Sequence, residues 1–224
     1  MVTLRRLVGV SSLILAIAGC GADEGVSTQP SGGAPKAKQQ PRPAHADAKV
    51  LWKAPDDPLK RTVEAGLDPE RKEYLIHHVH AHLDVFVDGK PIAVPAGIGI
   101  NIDDPAVQKF KEPDGSFTYG GIDPACRKAC ISPLHTHDGT GILHTESKTL
   151  KPNTLGQFFT EWGVHLSKSC VGKYCAPKPV AFYVRGNPYT EDPRAIELTD
   201  GKEIAIVIGT PPAKIPKTAD LSNA

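Results

Sequence analysis

The chain has little methionine, few aromatic residues and almost no excess of charge. Its single methionine is the initiator, Met1, which excludes a thioether-rich Cu(I) site. Net charge is +1 over 224 residues, so there is no electrostatic case for nucleic acid or for an anionic surface as a partner. No run of like charges marks an interaction tail. There is no HExxH helix, no glycine-rich phosphate loop following a strand and no nucleophile elbow. The common signatures of zinc peptidases, nucleotide binders and serine hydrolases are therefore missing. Beyond residue 20 no apolar run is long enough to span a bilayer. Aromatics make up only 6%, against 21 glycines and 21 prolines. That balance points to turns and short strands rather than a helical bundle.

The first twenty residues set the expected compartment. Arg5 and Arg6 precede an apolar stretch, Leu7–Ala18, that is short for a membrane span. It ends in Ile17-Ala18-Gly19-Cys20. This resembles the lipobox of bacterial lipoproteins, in which small residues precede a cysteine that is lipidated and becomes the mature N-terminus. The resemblance implies a signal peptide over residues 1–19, lipidation at Cys20 and attachment to the membrane through that lipid, outside the cytoplasm. Gly21 stands where an Asp would resemble an inner-membrane retention signal, so in a two-membrane cell the outer membrane is the expected location. Residues 20–48 contain Val26 as their only large aliphatic side chain. Such a segment buries too little apolar surface to order itself. It reads as a tether spanning roughly 30 Å on average.

With Cys20 lipidated, Cys126, Cys130, Cys170 and Cys175 remain. An even count in an exported protein reads as two disulfides. All three pairings are open; the local ones, Cys126–Cys130 and Cys170–Cys175, are preferred because each closes a small loop. The CxxxC spacing is not the CxxC of thiol oxidoreductases.

Residues 49–210 read as one globular domain and 211–224 as a mobile tail. Asp68-Pro69 before Glu70–Tyr74 predicts a short helix. Val79–Val87 alternates apolar and polar residues, predicting a strand with His78, His80 and His82 on the face away from the core. Asp88-Gly89 is a hairpin turn into a second strand, Pro91–Ile102. Residues 103–134 are rich in turn formers and read as a long loop. Gly141–Ser147 predicts a strand, and Thr154 caps an amphipathic helix, Leu155–Trp162, that Gly163 stops. Val180–Val184 and Glu203–Gly209 are the last strands. The expected class is α+β and strand-rich, with a small β-sandwich or open barrel as the alternative. From Leu150 to Gly209, and most of all in ELTDGKEIAIVIG, the sequence resembles the ubiquitin-like β-grasp fold. That implies a mixed sheet with one short packed helix. The C-terminal Leu221-Ser222-Asn223-Ala224 lacks the Gly-Gly tail of the sulfur carriers of that fold. The stretches HAHLDVFVDGKPI, HTHDGTGILHTES and TLGQFFTEWG are similar to secreted bacterial proteins of unassigned function.

Histidine clustering carries the functional reading. His135 and His137 are two apart, and His144 and Glu146 repeat that spacing after an Asp138-Gly139 turn. Residues two apart on an extended segment project to one side. If the two segments pair as a hairpin, four ligands share a pocket. His80 and His82 form a second pair on another strand, whose place relative to the first is open. Imidazoles with a carboxylate suit Zn²⁺, Cu²⁺ or Ni²⁺. Such a site binds less tightly below about pH 6.5, because imidazole must be neutral to coordinate. The expected function is a lipid-anchored, extracytoplasmic domain that binds Zn or Cu(II) for buffering, sensing or delivery. The alternatives are an envelope interaction module whose histidines line a polar groove, and a metal-dependent hydrolase with Glu146 or Asp138 as base.

Overall fold

The computed structural model describes residues 48–224. The expected signal peptide, Cys20 and the tether up to residue 47 lie outside the described residues. In chain order the elements are β1 (Lys49–Val50), α1 (Pro58–Glu64), β2 (His77–Val87), β3 (Lys90–Ala93), β4 (Gln108–Lys111), β5 (Phe117–Gly120), β6 (Leu134–His135), β7 (Ile142–Ser147), α2 (Leu155–Trp162), β8 (Val180–Val184), β9 (Asn187–Tyr189) and β10 (Lys202–Ile208).

The fold is α+β and strand-rich. One mixed sheet runs in the order β1-β3-β2-β10-β8-β9, with β7 paired to β2 and β6 paired to β7. It does not close into a barrel. β10 lies parallel to β2, from Lys202 opposite Ala81 to Ile208 opposite Val87, and antiparallel to β8. A hairpin (β2–β3), a packed helix, and a closing strand inserted parallel to the first strand together give the β-grasp arrangement. Here β4 to β7 are inserted between the hairpin and α2. β2 is long enough to serve two partners along one edge. Val85–Val87 pairs with β3, and His77–His82 pairs with β7.

The core lies on the side of the sheet that α2 covers. Ala81, Leu83 and Val85 of β2, Leu143 of β7 and Leu134 of β6 pack with Ile204, Ile206 and Ile208 of β10 against Leu155, Phe158, Phe159 and Trp162. Each large side chain so buried contributes roughly 1.5–3 kcal/mol relative to exposure. Helix α2 begins and ends where its sequence signals predict. Thr154 Oγ1 accepts from the Gln157 backbone N–H, and the Gln157 side chain accepts from the Thr154 N–H, a reciprocal capping box. Gly163 takes the left-handed conformation at its C-cap, φ 72°.

Three expectations are corrected. Glu70–Tyr74 is not helical, because the Cys126–Cys130 loop takes its backbone. The Glu70 N–H donates to the Ile131 carbonyl at 2.7 Å, the Cys130 N–H donates to the Glu70 carbonyl at 2.7 Å, and the Cys126 N–H donates to the Arg71 carbonyl at 2.9 Å. A helix forms instead twelve residues earlier, at α1, with Pro58 in its first turn. The second strand ends at Ala93, since Pro95 lacks a donor and Gly97 and Gly99 turn with φ 82° and 75°. The segment between residues 103 and 134 is not all loop, for it contains the β4–β5 hairpin.

Both local disulfides are present, Cys126–Cys130 and Cys170–Cys175. They point to an oxidising, extracytoplasmic environment. Cys126 and Cys130 sit in a second small core with Ile100, Val107, Tyr119, Ile122 and Ile131. Ile215, in the segment for which mobility is the expectation, is half-buried against Phe86, Ala205 and Val207. Among the described residues no helix is long and apolar enough to cross a membrane.

Candidate metal centre

Strand alternation decides which side chains meet. Because Ala81, Leu143 and Leu134 face α2, their neighbours His80, His144 and His135 face the opposite side of the sheet. Register then lines these up. His80 lies opposite His144 across β2–β7, and His144 lies opposite His135 across β6–β7. The three rings form a row over three adjacent strands. One step along, His78 lies opposite Glu146, and His137 follows His135 at the same period. Of the expected pairing of 135–137 with 144–146, β6 and β7 pair at Leu134–His135 with His144–Thr145, and His137 lies just beyond β6; the β2 histidines His78 and His80 join the cluster.

Two overlapping sets can each hold an ion, with ligand atoms within 4.8 Å of one another: His135, His137, His144 and Glu146; and His78, His80, His144 and Glu146. His135, His144 and Glu146 are buried, and His78 reaches solvent with 39% of its side chain exposed. The rings are close. Centroids are 4.7 Å apart for His135 and His137, 4.3 Å for His137 and His144, and 4.6 Å for His80 and His144.

Backbone carbonyls orient the first pair. His135 Nδ1 donates to the Ser132 carbonyl at 2.9 Å, and His137 Nδ1 donates to the Tyr119 carbonyl. The tautomers follow from these partners: a carbonyl only accepts, so Nδ1 carries the hydrogen and each neutral ring presents an Nε2 lone pair. The two Nε2 atoms face each other at 3.2 Å. Two imidazoles bound to one tetrahedral Zn²⁺ at 2.0–2.1 Å would stand ~3.3 Å apart. Thr136, between them, is fixed on the other side by the Pro95 carbonyl at 2.8 Å and the Ile98 N–H at 3.1 Å. Holding a ligand through its second nitrogen is the usual outer-shell device of metal sites.

Electrostatics favour the neutral form of His144, His135 and His80. Burial pushes the His144 pKa down to about 2, with the neighbouring His137, His80 and His78 adding to the effect. Burial and then His137 hold His135 well below the usual imidazole range, although Glu146 opposes them. His80 is lowered by burial and by His78. Neutral, desolvated imidazoles are ready to coordinate without first losing a proton.

His82 does not join either set. It lies opposite Glu203 across β2–β10. Its Nδ1 donates to Glu203 Oε2 at 2.9 Å and its Nε2 to the Thr140 carbonyl at 3.0 Å. Burial works to lower its pKa, but the Glu203 bond, the charges of Asp84 and Glu203 and the Thr140 carbonyl outweigh it and raise the value. His82 thus belongs to a separate buried group with Asp84 and Glu203, which could itself hold an ion. Asp138 is also committed elsewhere: its Oδ1 accepts from the Thr140 N–H at 2.9 Å and from the Thr140 hydroxyl.

Two residues at the site, His78 and Glu73, were missed as ligand candidates by sequence reasoning. Glu73 lies beside His137, and its pKa is raised by burial and by the charge of Glu146. Nothing in Glu70-Arg71-Lys72-Glu73 distinguishes it from a solvated helix face.

The β4–β5 hairpin sets His137 through Gly120. A Cβ there would stand 2.6 Å from His137 Nδ1, at φ 149°. Gly120→Ala is therefore expected to displace the ring and lower metal affinity about 10–100-fold, with far-UV circular dichroism unchanged. Competition against a coloured chelator measures it.

No protein-family model, curated protein or solved structure matches this chain. The fold and site thus define its class on their own: a strand-rich α+β domain with a buried histidine and glutamate cluster able to hold a metal.

Proposed function

We propose that the protein is a lipid-anchored, extracytoplasmic metal-binding domain that takes up Zn²⁺ or Cu²⁺ through His135, His137, His144 and Glu146, for buffering, sensing or delivery. The observation that carries this reading is the approach of His135 Nε2 and His137 Nε2 to 3.2 Å, with both rings anchored through Nδ1 to backbone carbonyls. A tetrahedral ion bound by both Nε2 atoms would hold them at about this separation. Imidazole and carboxylate ligands suit Zn²⁺ and Cu²⁺. The absence of a free thiol among the described residues, whose four cysteines are paired, leaves no soft ligand. Attachment through Cys20 agrees with the two disulfides, which belong to an oxidising compartment.

Elemental analysis by mass spectrometry on untagged protein tests the reading. At least one equivalent of Zn or Cu is expected per chain, retained through gel filtration, and a sharply reduced content in His135→Ala/His137→Ala. A metal-free parent that also fails to bind micromolar Zn²⁺ or Cu²⁺ at pH 7.5 would overturn it. The histidines would then line a polar groove of an interaction module.

A further inference from the structure

The cluster holds more ligands than one ion uses. His78, His80, His135, His137, His144 and Glu146 supply six side chains, whereas Zn²⁺ in protein sites is almost always four-coordinate. The surplus is not absorbed by ordinary hydrogen bonding. Nε2 of His80 and Nδ1 of His144 are buried and make no hydrogen bond, a state that natural proteins keep rare.

The carboxylate of Glu146 is placed between two pairs of rings. Its Oε2 faces Nε2 of His135 at 4.0 Å. Its Oε1 faces Nε2 of His78 at 3.3 Å and Nδ1 of His144 at 3.6 Å. The two oxygens thus point toward different histidines, one toward His135 and the other toward His78 and His144, the arrangement of a carboxylate that bridges two ions rather than chelating one. Two-metal sites commonly hold their ions about 3.5–4 Å apart, and opposite oxygens of one carboxylate reach such a pair.

We propose, building on the metal-binding reading above, that this is a dinuclear centre. One ion is held by His135 and His137, the second by His78 and His80, with Glu146 bridging them and His144 completing the shell of one. The two positions differ in access. The His135 side is closed off by the β4–β5 hairpin and the Ser132 turn, while His78 reaches solvent. The second position is therefore the one that exchanges its ion more readily, and the one with room for water in its shell.

The test loads the metal-free intact chain with zinc sulfate, removes unbound ion by gel filtration and counts zinc per chain. Two equivalents are expected for the parent and one for His78→Ala/His80→Ala, which leaves the inner pair intact. A second measurement uses the parent alone and needs no variant to fold. On titration with copper sulfate, the Cu²⁺ electron paramagnetic resonance signal should grow with the first equivalent. It should then fall or broaden with the second as the two spins couple through the bridge. One equivalent in both parent and variant, with a single unperturbed Cu²⁺ signal, would overturn the dinuclear proposal and leave the mononuclear site standing. No zinc in the parent would overturn both.

Discussion

Replacing His144 by alanine is expected to lower metal affinity by roughly a thousandfold or more, the largest effect of any single substitution in the cluster. Outer-shell changes alone typically cost 10–100-fold, and His144 is a candidate ligand common to both sets. It occupies the middle of the row, opposite His80 on one side and His135 on the other. Its ring is also kept neutral, with a pKa pushed down to about 2 by burial and by the neighbouring imidazoles. Its removal leaves a polar gap rather than an apolar one, so the strand pairing of β7 should survive. Competition titration against a chelator, with circular dichroism as the fold control, measures the effect. Affinity within threefold of the parent would show that the ring is packing and not a ligand. The same pKa values fix the pH dependence. His144, lowered to about 2, stays neutral between pH 7 and pH 5 in the metal-free protein, and burial shifts His135 in the same direction. His144 adds no proton competition in that interval, and loss of affinity there comes from the other ligands.

Local signals made part of this molecule legible. The capping residues Thr154 and Gln157, the apolar stripe and Gly163 specify α2 to the residue. The alternation of Ala81, Leu83 and Val85 with His80, His82 and Asp84 assigns the two faces of β2. The spacing His135-x-His137 and His144-x-Glu146 around an Asp-Gly turn gives half of the site, since a hairpin needs only local pairing. Non-local pairing made the rest illegible. His80 and His82 are equivalent by period, yet one joins the cluster and the other does not. The difference is set by β10, which arrives 121 residues later and places Glu203 on His82. His78 enters the site because β7 pairs with the start of β2. No property of the HHVHAH run itself announces that pairing. The helix expected at Glu70–Tyr74 fails for the same reason: its backbone groups are claimed by a disulfide loop more than fifty residues away. Glu73 then arrives beside His137 in a non-helical segment.

The second large effect concerns stability, and it lies beneath the site. Glu161 on α2 is fully buried. Burial raises its carboxyl pKa from 4.5 to about 8, and the hydroxyls of Ser132 and Thr62 only partly offset this. The folded protein thus keeps Glu161 protonated at neutral pH, whereas the unfolded chain ionises it. A raised folded-state pKa means that the stabilising contribution is full below pH 4.5. It is lost progressively as pH rises, until the loss is complete near pH 8. Between pH 4.5 and pH 7 that loss amounts to ~3 kcal/mol, at about 1.4 kcal/mol per unit. Glu161→Gln keeps the shape and cannot ionise, so the variant should overtake the parent as pH rises. We expect little difference at pH 4.5 and a gain of ~3–4 kcal/mol at pH 7.5, read from urea unfolding of the metal-free proteins. His82 and Glu203 are also raised and push the parent's stability in the same direction. The lowered His80, His135 and His144 push it the other way. All five are present in both proteins and cancel in the difference. A variant-minus-parent difference that stays flat from pH 4.5 to 8 would mean that Glu161 is ionised in the fold. In that case the Ser132 turn that orients His135 would rest on a buried charge rather than a neutral acid.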